Sequence, residues 1–216
     1  MNNVAAERYI KALIYVTVLV WTIVLYVNHA AISLAWLRYA SVVVTIVLYA
    51  VMAFDLWLWK CSFLRGWFVK RPVIEGTWKV ELRSTWKDPA TGAGIPPVAG
   101  FMVVRQTLST LSMRLMTAES SSELVGTEIV CSADGLYCVS GVYRNEPRLQ
   151  VRDRSPIHYG AVWLRVIVEP TKKLIGHYWT DRETKGEMEL GEQQNKKFQD
   201  FQSARNYYEA LVVKAL

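Results

Sequence analysis

Residues 12–27 and 39–59 are two nearly unbroken apolar runs, separated by the short, uncharged connector "NHAAIS" at 28–33. A helix needs about 20 mostly apolar residues to cross the hydrocarbon core of a bilayer. The second run has that length by itself and places Trp57 and Trp59 at its end, where interfacial aromatics belong. The first reaches it once Tyr9, Ile10 and the stem of Lys11 are counted, because a lysine stem lies on apolar surface while its ammonium stays wet. It has no small-residue cleavage site near its end, and a second span follows at once, so it reads as a retained helix and not a removed signal. The hydrophobic content of the 216-residue chain, 52%, is slightly above that of a normal soluble protein, and most of the excess lies in the first 60 residues.

Charge supplies the orientation. Arg8 and Lys11 precede the first run, and Lys60, Arg65, Lys70 and Arg71 follow the second. An excess of Lys and Arg marks the cytoplasmic side, so both termini are expected in the cytoplasm. The net charge of +6 therefore belongs first to a membrane surface. No aromatic-and-basic stripe of the RNA-binding type is present, and a nucleic-acid polymer is not an expected partner. Arg38 reads as an anchor at the opposite interface. Asp55 lies inside the second run, where a carboxylate is costly in lipid. Two readings of it stand: a functional position in the span, or a carboxylate that snorkels at the cytoplasmic end near Lys60. The three cysteines, Cys61, Cys131 and Cys138, make neither a disulfide framework nor a zinc spacing. Cys131 and Cys138 are expected as reduced thiols on neighbouring strands. Cys61 is juxtamembrane, a position open to reversible palmitoylation.

After "KRPVIEG" the periodicity changes from helical to two. "TWKVELRSTW" alternates Trp78, Val80 and Leu82 against Lys79, Glu81 and Arg83. "DPATGAGIPPVAG" (88–100) is a loop by composition, and "FMVVRQTL" and "LSMRLMTA" follow as a strand pair. "VGTEIVCS" and "LYCVSGVYR" flank the turn "ADG"; "YGAVWLRVIV" and "KLIGHYWT" flank "EPTK"; "GEMEL" closes the set. About eight short antiparallel strands in about 120 residues predict a sandwich or a closed barrel, and a small eight-stranded barrel holds side chains or one small ligand. Residues 195–216 repeat Phe198, Phe201, Arg205, Tyr208, Leu211 and Val212 at helical spacing. That helix is expected to pack on the barrel or plug one end.

The strand segments also carry hydroxyl, aromatic and guanidinium groups that packing does not need. In 176–182, Gly176, Tyr178, Thr180 and Arg182 share one face, and His177, Trp179 and Asp181 the other. Similar groups recur as Trp78 and Trp86; Arg114, Thr117, Ser120 and Ser122 on the third strand and its exit; Tyr143, Arg144 and Asn145; Arg152 and His158; and Thr184. Converging at a barrel mouth, they suit one planar, polar, anionic ligand: rings stack a base, guanidinium groups fork onto phosphate, hydroxyls fix base edges.

Two spans followed directly by a barrel, with the strings "EGTWKVELRSTW", "RQTLSTLSMRLMTAESSSE", "VYRNEP", "IHYGAVWLRV" and "LIGHYWTDRETKGEMEL", resemble the two-transmembrane, β-strand-rich effector family associated with CD-NTase enzymes in bacterial cyclic-oligonucleotide-based antiphage signalling systems (CBASS). The resemblance runs from the first span to about Leu190 and is strongest over "GxYWTxRxTxG" at 176–186. It implies two transmembrane helices and a lipocalin-like eight-stranded barrel that binds a cyclic dinucleotide made by the CD-NTase. It also implies a homo-oligomer in the bacterial inner membrane, membrane disruption and cell death. Matching strings carry over Tyr178, Thr180, Arg182 and Thr184 as ligand contacts, with Thr117, Ser120, Tyr143 and Trp78 beside them, and no cofactor other than that ligand. Asp55 is the candidate for helix association.

The expected domains are a two-helix transmembrane region at 1–62, a cytosolic linker at 63–75, the sensor barrel at 76–192 and the C-terminal helix at 193–216. The competing reading is a membrane-anchored, lipocalin-like carrier of an apolar molecule, with an aliphatic interior and the arginines outside. An enzyme has little support: there is no Gly-rich phosphate loop, no metal-ligand spacing and no nucleophile elbow.

Overall fold

In the computed structural model, residues 3–29, 34–88 and 90–215 are described, and the chain divides into two compact units, Met1–Lys70 and Arg71–Leu216. Most of the connector "NHAAIS", residues 30–33, lies outside the described residues.

The first unit holds α1 (Asn3–Val27) and α2 (Ala40–Leu56). Glu7–Val27 and Leu37–Leu56 are long and apolar enough to cross a membrane. The hydroxyls of Thr17 and Thr22 donate to the carbonyls of Leu13 and Val18, four residues back, at 2.8 Å, so neither needs a partner outside the helix. Asp55 sits in the last turn of α2, and the helix stops before Trp57, whose φ of −135° is not helical. Arg8 has a structural task as well as a charge. Its guanidinium donates to the carbonyls of Trp67 (3.0 Å) and Phe68 (2.8 Å), while the Phe68 ring meets Tyr9 and Phe54 edge-on at 5.5 and 5.9 Å.

The second unit is a closed antiparallel barrel in which each strand pairs with its sequence neighbours and β1 pairs with β8. The strands are β1 (Gly76–Ser84), β2 (Val98–Gln106), β3 (Leu111–Thr117), β4 (Ser120–Cys131), β5 (Tyr137–Pro147), β6 (His158–Ile167), β7 (Lys173–Thr180) and β8 (Lys185–Gln194). Closing so small a sheet requires sharp local bending. A bulge breaks the β4–β5 register between Val125 and Glu128, where Gly126 takes the left-handed φ of 68° that a side chain disfavours. Two strand limits differ from the sequence reading. β2 begins at Val98, inside the composition-defined loop, because Val98 pairs with Leu82. β4 begins at Ser120, so Ser120 and Ser122 belong to it and not to the exit of β3. Cys131 and Cys138 do lie on the paired strands β4 and β5.

Period two sends alternate residues inward. At one end the interior is solid: Ile74, Trp78, Val104, Met113, Val139, Leu164, Leu174 and Leu190 are buried and packed together. The chain leading into β1 straps this base. Gln106 accepts from the Ile74 amide (2.8 Å) and donates to the Pro72 carbonyl (3.0 Å), Gln193 donates to the Glu75 carbonyl (2.6 Å), and Lys172 donates to the Val73 carbonyl.

The C-terminal helix, α3 (Phe201–Ala215), does not plug the barrel. Ala204 and Tyr208 pack with Phe198 on the outward Phe101, Val103 and Met116 of β2 and β3. The buried Tyr208 hydroxyl reaches the carbonyls of Thr77 (2.7 Å) and Glu192 (2.9 Å). Helix α3 starts later than residue 195 because Asp200 caps it: its carboxylate accepts from the Ser203 hydroxyl (2.7 Å) and amide (2.8 Å). These bonds, the hydroxyl one foremost, hold the Asp200 carboxyl below the usual carboxylate range. A depressed folded-state pKa stabilises at neutral pH, and the contribution disappears as pH falls through that value. Asp200→Ala should therefore speed amide hydrogen exchange at Ser203 and Ala204 at pH 7, and the difference from wild type should shrink as the pH is lowered. Equal exchange in both proteins at pH 7 would refute the cap.

Candidate ligand site at the barrel mouth

Above the solid base the barrel is open. A cavity of about 260 Å³ occupies the end formed by the β1–β2, β3–β4, β5–β6 and β7–β8 connections. Its floor is apolar, made by Leu82, Met102, Leu115, Leu124, Val162 and Met188. Its upper wall is polar, made by Ser84, Thr117, Ser120, Ser122, Tyr143, Asn145, His158, Tyr178, Thr180 and Thr184. The registers explain the layering. Ser122, Asn145 and His158 form one cross-strand row, and Leu124, Tyr143, Gly160 and Thr180 the row below.

The wall is braced by short hydroxyl contacts. Thr180 and Thr184 oxygens are 2.6 Å apart across the β7–β8 turn, and Thr117 and Ser120 oxygens 3.0 Å apart across the β3–β4 turn. The buried Ser122 hydroxyl donates to Asn145 Oδ1 at 2.7 Å. Burial pushes the Tyr143 phenol well above the usual tyrosine range, with Tyr178 and Asp181 adding to the effect, so it stays a neutral hydroxyl at physiological pH.

Both phenols rest on glycines. Tyr143 lies opposite Gly160, and Tyr178 opposite Gly186. A Cβ on Gly160 would come within 2.5 Å of the Tyr143 ring and hydroxyl, and one on Gly186 within 2.8 Å of Tyr178. The same atoms would meet the backbone carbonyls of Trp179 and Arg83 at 2.4 Å, so backbone and ring must both move. Gly160→Ala and Gly186→Ala should each displace a phenol and lower Tm by several degrees, the cost of an overpacked interior being about 1–3 kcal/mol. Wild-type Tm together with unshifted tyrosine resonances would rule this out.

The structure brings Thr117, Ser120, Tyr143, Tyr178, Thr180 and Thr184 together on the cavity wall. Two candidates lie elsewhere. Trp78 is fully buried in the base, its indole N–H donating to the Ile74 carbonyl at 2.8 Å. Arg182 does not continue the Tyr178–Thr180 face, because β7 ends at Thr180 and the chain turns, with Glu183 at a left-handed φ of 61°. Its exposed guanidinium donates to Ser155 at 3.1 Å, on the rim. Arg114, Arg144 and Trp86 are exposed and not part of the wall, while Arg152 donates to the Pro147 carbonyl (3.0 Å) and pairs with Glu146 (3.1 Å). The sequence reading missed Ser84, Met188 and the β5–β6 connection, which contributes Val151 and Ser155. Strand alternation pointed to Met188; Val151 and Ser155, in an irregular loop, carry no such signal.

The family described as the Cap15, cyclic dinucleotide receptor domain matches residues 69–192, more than half of the chain. The chain belongs to this family. The Cap15 match takes in the strap across the base and all but the last residues of β8, and leaves α3 outside it. CD-NTase-associated protein 15 of Staphylococcus schleiferi is 26% identical over 188 residues, covering 87% of this chain and 97% of that protein. The match to that protein is thus longer than the 69–192 of the family match.

Proposed function

We propose that this chain is a CBASS effector whose barrel receives a cyclic dinucleotide made by a CD-NTase. Binding drives association of the membrane helices, disruption of the bacterial inner membrane and death of the infected cell. Both termini lie in the cytoplasm, and the protein acts as a receptor without turnover. The observation that carries this reading is the cavity: hydroxyls and two phenols ring an apolar floor, with guanidinium groups on the rim. Family membership and two apolar helices support it. The contacts we assign are Thr117, Ser120, Tyr143, Tyr178, Thr180 and Thr184 in the wall and Arg182 on the rim. A pure carrier of apolar molecules would have no use for that polar wall.

A ligand shifts an equilibrium only through its different affinity for the two states. The rim groups are therefore the natural coupling point, since they meet both the ligand and whatever approaches the mouth. Helix association would then follow through packing and the Asp55 turn.

The test is titration calorimetry of the full-length protein in lipid nanodiscs against cyclic di- and trinucleotides. One cyclic dinucleotide should bind tightly and cause leakage of liposomes carrying the protein. Arg182→Ala, at an exposed position, should leave the fold intact and weaken binding roughly 10–100-fold, the equivalent of about 1.5–3 kcal/mol for a charge-assisted hydrogen bond. Full affinity in that variant would remove Arg182 from the site. No binding across the panel would refute the receptor role.

A further inference from the structure

Resting on the receptor reading, we infer that Glu119 stands in for a ligand phosphate in the empty barrel: its carboxylate occupies Arg154, and a phosphodiester arriving at the mouth displaces it and takes that guanidinium. Size keeps part of the ligand outside. A cavity of about 260 Å³ is below the range of roughly 300 Å³ and upward in which pockets enclose most of a drug-sized ligand. A cyclic dinucleotide, with two bases, two riboses and two phosphodiesters, is too large to enter whole. Charge decides which part stays at the mouth. Among the described residues no arginine or lysine lines the cavity, and an anion taken out of water without a cation is strongly disfavoured. The phosphodiesters therefore stay at the rim.

Two guanidinium groups stand one contact away from the cavity wall. Arg182 donates to the Ser155 hydroxyl at 3.1 Å, and Arg154 donates to Glu119 Oε1 at 2.5 Å; Ser155 and Glu119 both line the cavity. Arg154 and Ser155 are chain neighbours, so both cations meet the β5–β6 connection at the same point. Their partners differ. Arg182 holds a neutral hydroxyl. Arg154 holds a carboxylate, which also repels an anionic ligand entering past it. A carboxylate and a phosphodiester offer a guanidinium the same thing, two oxygens that share one negative charge and accept from its N–H groups. Glu119 and a phosphodiester are therefore alternatives for one partner.

The pair can exchange without loosening the mouth. Its side chains are 66% and 58% exposed, and an ion pair that open to water adds little stability. The β5–β6 connection has anchors of its own. The Arg148 amide donates to the Glu119 backbone carbonyl at 2.8 Å, and Arg152 bonds the Pro147 carbonyl at 3.0 Å. Neither bond uses the Glu119 side chain. Arg144 and Arg152 are committed elsewhere, since both pair with Glu146, which does not line the cavity. Arg154 and Arg182 are thus the two cations placed to receive the two phosphodiesters, and one of them is held in check until the ligand arrives.

The experiment is calorimetric titration of the full-length protein in nanodiscs with cyclic di-GMP, cyclic di-AMP and cyclic GMP–AMP, followed by the variants with whichever binds the wild type most tightly. Glu119→Gln keeps the shape, frees Arg154 and should bind threefold or more tighter than wild type. Arg154→Ala should bind fivefold or more weaker, and Arg154→Lys should recover part of that loss. In the Arg154→Ala background Glu119→Gln should gain less than it does in the wild type. Thermal melts of all variants should match wild type, as the exposure of both side chains requires. A pair that only braces the connection gives the opposite sign, because breaking it from either side weakens binding. Affinity at or below wild type in Glu119→Gln, or wild-type affinity in Arg154→Ala, would overturn the inference and leave the receptor reading standing. An equal gain from Glu119→Gln with and without Arg154 would reduce Glu119 to plain repulsion and overturn the exchange as well. If the wild type binds none of the ligands, the receptor reading fails and takes this inference with it.

Discussion

Replacing Trp78 with alanine should destabilise the barrel by about 3–5 kcal/mol, the usual cost of deleting a buried aromatic side chain. For a unit of this size that corresponds to a fall in Tm of roughly 6–20 °C. The reasons are specific. Trp78 is fully buried, its indole N–H bonds the Ile74 carbonyl, and the Lys172 ammonium lies 5.7 Å over its ring. The truncation opens a void under the strap and leaves one strap carbonyl without its donor. Trp78→Phe keeps most of the volume and should cost far less. Ligand affinity, measured below the lowered Tm, should change less than threefold, because Trp78 belongs to the base and not to the cavity wall. A large affinity loss in a folded Trp78→Phe protein would return this residue to the binding site.

The second large effect is expected at Tyr143. Tyr143→Ala removes the main ring of the wall and uncovers Gly160 beneath it. Stacking of a base on one aromatic ring is worth about 1–3 kcal/mol, so affinity for the bound cyclic dinucleotide should fall roughly 5–150-fold. Stability should fall as well, since the ring is buried among Leu124, Val162 and the half-buried Tyr178. Tyr143→Phe separates the two effects. It keeps the ring and deletes a hydroxyl that burial holds protonated. Stability should stay close to wild type, and any affinity lost measures the hydroxyl alone. Calorimetric titration beside thermal melts reads both quantities. Unchanged affinity in Tyr143→Ala would show that the ligand does not use this wall.

The architecture was legible in the chain because two periodicities are cleanly separated along it. Two apolar runs, then alternation with turn signals at "ADG" and "EPTK", lead to two apolar helices and an eight-stranded barrel. The wall was legible at Tyr143, Tyr178 and Thr180, where alternation continues into the cavity. It failed where alternation stops. "DRET" contains no glycine or proline to announce a turn, and the left-handed residue is a glutamate. Counting by twos therefore carried Arg182 inward, whereas the chain had already turned and left it on the rim. Trp78 failed for another reason. Its inward face was correct, but a strand pattern says nothing of height along the barrel axis, and height decides between packed base and open mouth. A glycine within each of two strand patterns, in "HYGAV" and "TKGEM", was the signal that a large side chain lies across from it.

Those two glycines limit how the wall of the cavity can vary. As long as Tyr143 and Tyr178 are retained, Gly160 and Gly186 admit almost no substitution, and the phenols in turn can lie flat only over a residue without a side chain. Nor does a smaller residue in place of tyrosine free its partner, because a Cβ at Gly160 or Gly186 would still lie 2.4 Å from the backbone carbonyl of Trp179 or Arg83. Descendants of this barrel that receive a different signal would reach it through the hydroxyl positions of the wall, with the two glycines as its fixed points.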